Sequence, residues 1–408
     1  MTDSRFDTVV LISDAFPYGV VTERTFIEPE IKPLSEVFRR VIILPTIEKE
    51  PISTHLRLPD NVEICRAWLD SKECNQRWRR LPMGLEAYRY AKGGPTIAGM
   101  KQAAASMAMA RCLRRWIRQE NIDLGRTLFY AFWFDIGALA LGILRKSLPI
   151  KYIASCHGHD IYTRRAQRLR RLALSNSVAL YAVSQHGRDA VAADFPDLQE
   201  KIRLRTLGTS DTRSIATPNP DPRKELTFIS VSQVIPRKRV EKIFEMMKAL
   251  AVGRESTEIE WIHIGDGSSM GALRELVAAD LPHNLTIKLL GEMQNAEIHR
   301  FYATEKIDWF IHMSRQEGGN TIAIAEALSH GVPVVAADYG GLDEMVTDDC
   351  GVIFPCDVER EEFVRGMLPY IESDFRHRAM SEAARRRWEE YFDAERLRRE
   401  FVNEIARL

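Results

Sequence analysis

The feature that most constrains this chain is a succession of short β-branched runs with apolar residues on both faces, each followed by a helix-length segment. In the first half they read TVVLIS, RVIILP, KYIAS and ALYAVS, and in the second LTFISVS, IEWIHIG, LTIKLLG, DWFIHMS and VPVVAAD. A strand apolar on both faces must be covered on both, and the helix-length spacers allow the strands to run parallel. The pattern predicts α/β architecture, and its presence in each half predicts two doubly wound sheets. A chain of 408 residues also exceeds what one core absorbs, so two domains of about 200 residues are expected.

Between the halves lies GTSDTRSIATPNPDPRKE, Gly208–Glu225, rich in Pro, Ser, Thr and Asp and poor in apolar residues. Such composition marks a linker. The expected division is a first domain at 1–207, the linker at 208–225, a second domain at 226–385 and a closing segment at 386–408. In that segment Trp388, Tyr391, Phe392, Leu397, Phe401 and Ile405 recur at helical spacing. One or two amphipathic helices seeking an apolar surface are expected there.

Composition narrows the function classes. Cysteines at 65, 74, 112, 156, 350 and 356 form no C-x-x-C pair, so neither a zinc site nor a disulfide framework is expected, and the thiols read as reduced and cytosolic. The start, MTDSRFDTVVLISD, lacks the basic and apolar regions of a secretory signal, so a cytoplasmic protein is expected. The most apolar stretch, Leu128–Leu144, is short and interrupted by Asp135, which argues against a membrane span. The formal charge is zero overall, but residues 1–200 hold 29 Lys and Arg against 22 Asp and Glu, leaving the first half basic and the second acidic. The stretches RWRR (Arg77–Arg80), RCLRRWIR (Arg111–Arg118) and RRAQRLRR (Arg164–Arg171) could meet phosphate or an anionic membrane, or be solvated helix faces.

One segment carries chemistry: EGGNTIAIAEALSHGVPVVAADYGG, Glu317–Gly341. The run WFIHMS leads into a glycine loop, Asn320 or Thr321 is placed to cap a helix TIAIAEAL, and Gly331 and Pro333 end it. A glycine loop feeding a helix start presents unpaired N–H groups and the positive end of the helix dipole at the carboxyl edge of the sheet, where anions bind. Glu326 is the only charged side chain of this Ala/Ile helix. A buried carboxylate is costly unless satisfied. A sugar diol would satisfy it; a partly exposed side chain or a structural Arg partner is the alternative.

These residues resemble the signature of glycosyltransferase family 4, the group 1 retaining glycosyltransferases, in which E-x7-E is followed by G-x-P-V and G-G-x-x-E. Here Glu317, Glu326, GVPVV and GGLDE (Gly340–Glu344) occur in that order. The resemblance extends to DAFPYGVVTERTFIEPEI (Asp14–Ile31), FYAFWF, HGHDIY (His157–Tyr162), AVSQHG, LGTSD, SVSQVIPRKRV and IHIGDG, nearly the whole chain. Two positions depart from it. Eight residues separate Glu317 from Glu326 where the family has seven, so either the loop bulges or Gly318 takes the place of the first acid. Gln233 stands five residues before Lys238 where the family usually has Arg, leaving Arg237 and Arg239 as candidates to supply the missing charge.

The resemblance implies a GT-B fold, two Rossmann-like domains facing a cleft with the C-terminal helices crossing back to the first. It implies a retaining hexosyltransferase-type enzyme of polysaccharide biosynthesis that takes a UDP- or GDP-sugar, with no other cofactor. No Asp-x-Asp triplet occurs in the sequence, so fixed cations and helix amides are expected to stabilise the leaving diphosphate instead of a clasped metal. Lys238 would neutralise that diphosphate, with Gln233 and Arg237 nearby and Gly19, Gly318, Gly319, Asn320, Thr321 and Ile322 bringing backbone to the donor. Glu326 would take the ribose hydroxyls and Glu317 those of the donor sugar. His157 would contact that sugar, with Asp160 in the same HGHD loop. A glycan or polyprenyl-diphosphate-linked acceptor, with peripheral contact to an anionic inner membrane face, fits the basic stretches; no nucleic-acid partner is expected. Two other readings are a dinucleotide-dependent oxidoreductase, prompted by GDGSSMG (Gly265–Gly271), and a non-catalytic subunit that binds nucleotide or glycan and supports a partner.

Overall fold

A computed structural model describes residues 5–18, 21–46, 56–65, 97–162, 167–279, 281–338 and 341–408. The chain divides into two compact units, Met1–Arg205 together with Arg398–Leu408, and Thr206–Leu397. Each is built on a parallel sheet.

In the first unit the strands are β1 (Thr8–Ser13), β2 (Arg40–Pro45), β3 (Val62–Ile64), β4 (Thr127–Ala131), β5 (Lys151–Cys156), β6 (Ala179–Ala182) and β7 (Ile202–Leu204). Their spatial order is β3-β2-β1-β4-β5-β6-β7, and every pairing is parallel. Alternate residues of one strand enter opposite cores: Val10 and Ile12 join Phe129 and Leu139 on one face, Val9 and Leu11 join Tyr130 and Ile153 on the other. This two-sided burial is why β1 reads as an unbroken apolar run. The apolar stretch after β4 forms the helix Ile136–Leu144, which approaches the helix Gln167–Asn176 so closely that a Cβ on Gly142 would lie 2.6 Å from Ala173 Cα. Among the described residues no helix is long and apolar enough to cross a membrane.

The second unit carries β8 (Glu225–Val231), β9 (Glu258–Ile264), β10 (Leu285–Gly291), β11 (Trp309–His312), β12 (Val334–Asp338) and β13 (Gly351–Pro355). They are ordered β10-β9-β8-β11-β12-β13. The strand order reverses direction between β1 and β4 in the first sheet and between β8 and β11 in the second. Ligands of open parallel sheets bind outside the carboxyl ends at such a reversal. At the edge, β10 alternates buried and solvent-facing residues.

Residues 208–225 are bound into the second unit along their length. Thr209 bridges to Asp393, Ala216 N–H donates to the His330 carbonyl at 2.9 Å, and Asn219 donates through N and Nδ2 to the buried Asp308 carboxylate at 2.9 and 2.6 Å. The closing segment is two helices, Asp374–Tyr391 and Ala394–Ala406. Trp388 of the former is buried, its Nε1 donating to Thr209 Oγ1 at 2.8 Å. Phe401, Val402 and Ile405 of the latter complete the core around Tyr130 and Tyr181 in the first unit. There the Arg205 guanidinium lies 3.6 Å over the Phe401 ring and pairs with buried Glu30.

Candidate functional site

In the second unit the loops following β8 and β11 meet. The loop after β8 is pinned by backbone bonds to the segment after β9: Ser232 N–H to Ile264 O at 3.0 Å, Val234 N–H to Asp266 O at 3.0 Å, and Ser269 N–H to Val234 O at 2.9 Å. A Cβ on Gly265, which has φ +139, or on Gly267 would lie 1.9 Å from Ser232 O or 2.4 Å from Val234 O. The first two glycines of GDGSSMG therefore serve this backbone approach. Beyond it the turn Pro236–Lys238 carries Lys238, whose Nζ donates to Glu317 Oε1 at 2.5 Å.

Glu317 also accepts from His312 Nε2 at 3.0 Å. It is Glu317 itself, not Gly318, that meets the lysine, and the loop turns onward through Gly319 at φ +90. Burial raises the Glu317 carboxyl, but the His312 hydrogen bond and the positive charge of Lys238 more than reverse this and hold it well below the usual carboxylate range. Burial keeps the His312 imidazole below its ordinary value. The site thus holds a neutral imidazole, an ionised carboxylate and a lysine cation.

Arg239 does not supply the charge that Gln233 lacks. In left-handed backbone at φ 47, it is buried and donates Nε to Met313 O at 2.8 Å and Nη2 to Cys356 O at 2.9 Å. Gln233 and Arg237 are both exposed.

The helix Ile322–Ser329 begins at Thr321, whose side chain makes no capping bond. Thr321 Oγ1 and Asn320 Oδ1 are buried without a hydrogen-bond partner among the described residues, while Asn320 Nδ2 donates to Leu207 O at 2.9 Å. Among the described residues the Thr321 N–H meets only the Met345 thioether, at 3.0 Å, a weak acceptor that an anion readily replaces. Glu326 is 6% exposed. Asn295 Nδ2 donates to its Oε1 at 2.6 Å and His299 Nε2 stands 3.9 Å from the same oxygen. Among the described residues it has no arginine partner, and burial pushes its carboxyl up to about 7.

In the first unit His157 follows β5 directly. It is 6% exposed, with its ring against Trp133 and Phe132 at centroid distances of 4.5 and 4.7 Å. Both ring nitrogens are buried without a partner among the described residues. The nearest acid is Asp160, with Oδ2 3.8 Å from Nδ1; that oxygen accepts from the His157 main-chain N–H at 2.9 Å and so shapes the loop. Arg170 of RRAQRLRR is buried and donates to Asp160 O at 2.8 Å. His159 is exposed. Gly19 and the RWRR stretch lie outside the described residues.

Sequence reasoning missed the residues that organise these groups. Buried Glu23 accepts the N–H groups of Asp14, Ala15 and Phe16 at 2.7, 2.6 and 2.8 Å and the Trp133 indole at 3.0 Å. His312 and Asn295 hold the two signature acids. The available signal was a polar residue ending an apolar run in WFIHMS; nothing local distinguishes Asn295 or Glu23.

Two parallel-sheet, Rossmann-like units with polar and charged groups gathered past the carboxyl ends of their strands define a GT-B protein. The chain belongs to the group 1 glycosyltransferases of family 4: residues 211–387 match the family Glycosyl transferases group 1 and residues 64–208 the family Glycosyltransferase Family 4. It is thus a glycosyltransferase and not an oxidoreductase. It is 25% identical over 305 residues, 68% of this chain and 74% of the relative, to a GDP-mannose-dependent monoacylated alpha-(1-6)-phosphatidylinositol monomannoside mannosyltransferase of Corynebacterium glutamicum. Similar solved structures include the lipopolysaccharide outer core galactosyltransferase WaaB in its apo form, with a TM-score of 0.68 and 15% identity over 98% of this chain and 100% of that one. Anabaena HepE in complex with UDP has a TM-score of 0.65 and 15% identity over the same shares.

Proposed function

We propose that the protein is a retaining hexosyltransferase that moves a sugar from a UDP- or GDP-sugar to a glycan or polyprenyl-diphosphate-linked acceptor in polysaccharide biosynthesis. The observation that carries this reading is Glu326: a buried acid whose one close donor among the described residues is Asn295, on a helix preceded by buried polar atoms of Asn320 and Thr321 that find no partner among the described residues. Vicinal ribose hydroxyls supply the donors the carboxylate lacks, and the diphosphate then falls beside the helix start and Lys238. HepE with UDP and the GDP-mannose-dependent relative support a nucleotide-sugar donor of either base.

The chain's residues divide the work. Lys238, released from Glu317, neutralises the charge that grows on the leaving diphosphate. Main-chain amides at Asn320, Thr321 and Ile322 add donors to it, and Glu317, held by His312, turns to the donor sugar's hydroxyls and orients its anomeric carbon. His157, its nitrogens without a partner among the described residues, takes the donor-sugar contact that the family resemblance assigns it. Fixed cations and amides make the transfer metal-independent.

Melting the protein with UDP and with GDP tests the donor site, since a ligand that binds only the folded state raises the melting temperature. Glu326→Ala is expected to remove most of that shift; equal shifts in both proteins refute the ribose placement. Anomer-resolved NMR of donor turnover then reads retention directly, and nucleotide binding without any turnover identifies the non-catalytic subunit instead. For the acceptor, exposed Arg111, Arg115 and Arg118 share one face of the helix Ile97–Gln119 and suit an anionic lipid surface. Failure to float with anionic liposomes at low salt removes that part.

A further inference from the structure

Behind Glu326 runs a line of side chains that the transfer reaction above leaves unused. The helix Ile322–Ser329 ends at His330, whose buried ring stacks on Tyr302 with centroids 4.7 Å apart and planes 10° apart. His330 Nδ1 lies 2.9 Å from the main-chain oxygen of Ser214. Its Nε2 lies 2.9 Å from His299 Nδ1. His299 belongs to the helix Asn295–Thr304, which also supplies Asn295, and its Nε2 stands 3.9 Å from Glu326 Oε1.

The hydrogens in this line can be assigned. A carbonyl oxygen only accepts, and the Ser214 hydroxyl, 3.1 Å from the same nitrogen, can accept beside it while donating to Thr212 Oγ1 at 2.9 Å, so His330 Nδ1 carries a hydrogen. Burial holds the His330 imidazole down to about 4 and lowers that of His299 as well, so both rings are neutral and each has one N–H. His330 Nε2 is then an acceptor, and the hydrogen of the 2.9 Å contact is that of His299 Nδ1. His299 Nε2 is left with a lone pair on the side of Glu326. The Ser214 carbonyl thus sets, through two rings, a base beside the buried acid.

We propose that Glu326 and His299 share one proton, which sits on the Glu326 carboxyl in the free protein and passes to His299 Nε2 when ribose hydroxyls dock on the carboxylate. The carboxyl O–H bond breaks, an N–H bond forms at Nε2, and the pair stays neutral overall. A shift of about 1 Å closes the present gap to a hydrogen bond. His299 is in this sense a positioning residue: it keeps Glu326 available as an acceptor without expelling a proton to solvent. The inference rests on the ribose reading above. The other titratable groups around the relay are Tyr302, kept protonated by burial and then by the Glu326 charge, and Asp211 and Arg385 near His330, which pair with each other at 3.0 Å. Among the described residues no lysine or arginine pairs with Glu326.

The test is titration calorimetry with UDP and with GDP in buffers of different ionisation enthalpy, comparing the wild type, His299→Asn and Glu326→Gln. Asparagine keeps a donor toward His330 but has no titratable nitrogen. Ionisation of the nucleotide's terminal phosphate is common to all three proteins and is removed by subtracting the Glu326→Gln count. With a carboxyl pushed up to about 7, His299→Asn is expected to release about half a proton at pH 7, and its affinity to fall up to about tenfold per unit below that. The wild type is expected to release almost none and to change affinity by less than about twofold between pH 6 and 8. Equal proton counts in the wild type and His299→Asn overturn the relay alone. Half a proton released by the wild type does so without need of the variant. Unchanged nucleotide affinity in Glu326→Gln overturns the ribose reading, and the relay with it.

Discussion

Replacing Lys238 by Met isolates the electrostatics of the second unit's site. The Lys238 and Glu317 side chains are 13% and 9% exposed, so the substitution strips a buried carboxylate of its cation while the His312 N–H stays in place. Breaking a buried pair from one side costs about 3–5 kcal/mol. The retained imidazole bond puts this case near about 3 kcal/mol, or a melting decrease of about 6–12 °C for a unit of this size. The pH dependence gives the sharper criterion. In the wild type the Glu317 value is depressed, so its contribution is fully present above the unfolded carboxylate value of about 4.3 and is lost only as pH falls below that. In Lys238→Met burial is no longer opposed by the lysine cation and the folded value is expected to rise past the unfolded one, so the stabilising proton is bound at low pH and lost as pH rises. The gap in melting temperature is therefore expected to narrow from pH 8 to pH 5.5. Scanning calorimetry of the full chain reads it, and Glu317→Gln in the same molecule should restore most of the loss. A gap unchanged with pH, or one under about 1 °C at pH 7.5, refutes the reasoning.

Four further substitutions probe other parts of the site. His157→Phe keeps the aromatic contacts and deletes two buried nitrogens that lack partners among the described residues, so it should melt at or above the wild-type temperature while transfer is lost; marked destabilisation would show that the nitrogens are satisfied. Arg239→Ala should cost about 2–3 kcal/mol by orphaning buried carbonyls, whereas Arg237→Ala should stay within about 0.5 kcal/mol and weaken UDP or GDP binding; urea titration and calorimetry separate them. Gly267→Ala forces a Cβ against Val234 backbone and should cost about 1–3 kcal/mol while raising the KM for donor, because the loop it displaces carries Lys238.

The central strands were legible because two-sided burial leaves an uninterrupted apolar run, as in Val9–Ile12 and Phe228–Ile229. Strand β4 escaped the same reading: TLFYA continues with little interruption into the apolar helix Ile136–Leu144, and no change of period separates them. The short strands β3, β7 and β13 lie at or near sheet edges, where one-sided burial leaves too few apolar positions to register. Glu326 was legible as a lone acid among small apolar residues, and Lys238 through its family motif. Its partners were not, since Asn295 and His299 lie 31 and 27 residues before Glu326 and only the fold brings them to it. Residues 208–225 were read as a linker from composition; their Thr, Asn and Asp side chains instead find hydrogen-bond partners within the second unit.

The first unit is interrupted in sequence by the whole of the second, and this has a consequence for how the chain is made. Phe401, Val402 and Ile405 belong to the core laid down around Tyr130 and Tyr181, yet a ribosome must translate Thr206–Leu397 before it reaches them. At about 5–20 residues per second, the nascent first unit waits about 10–40 s with that apolar surface uncovered. The second unit, continuous in sequence, meets no such delay and can finish folding first.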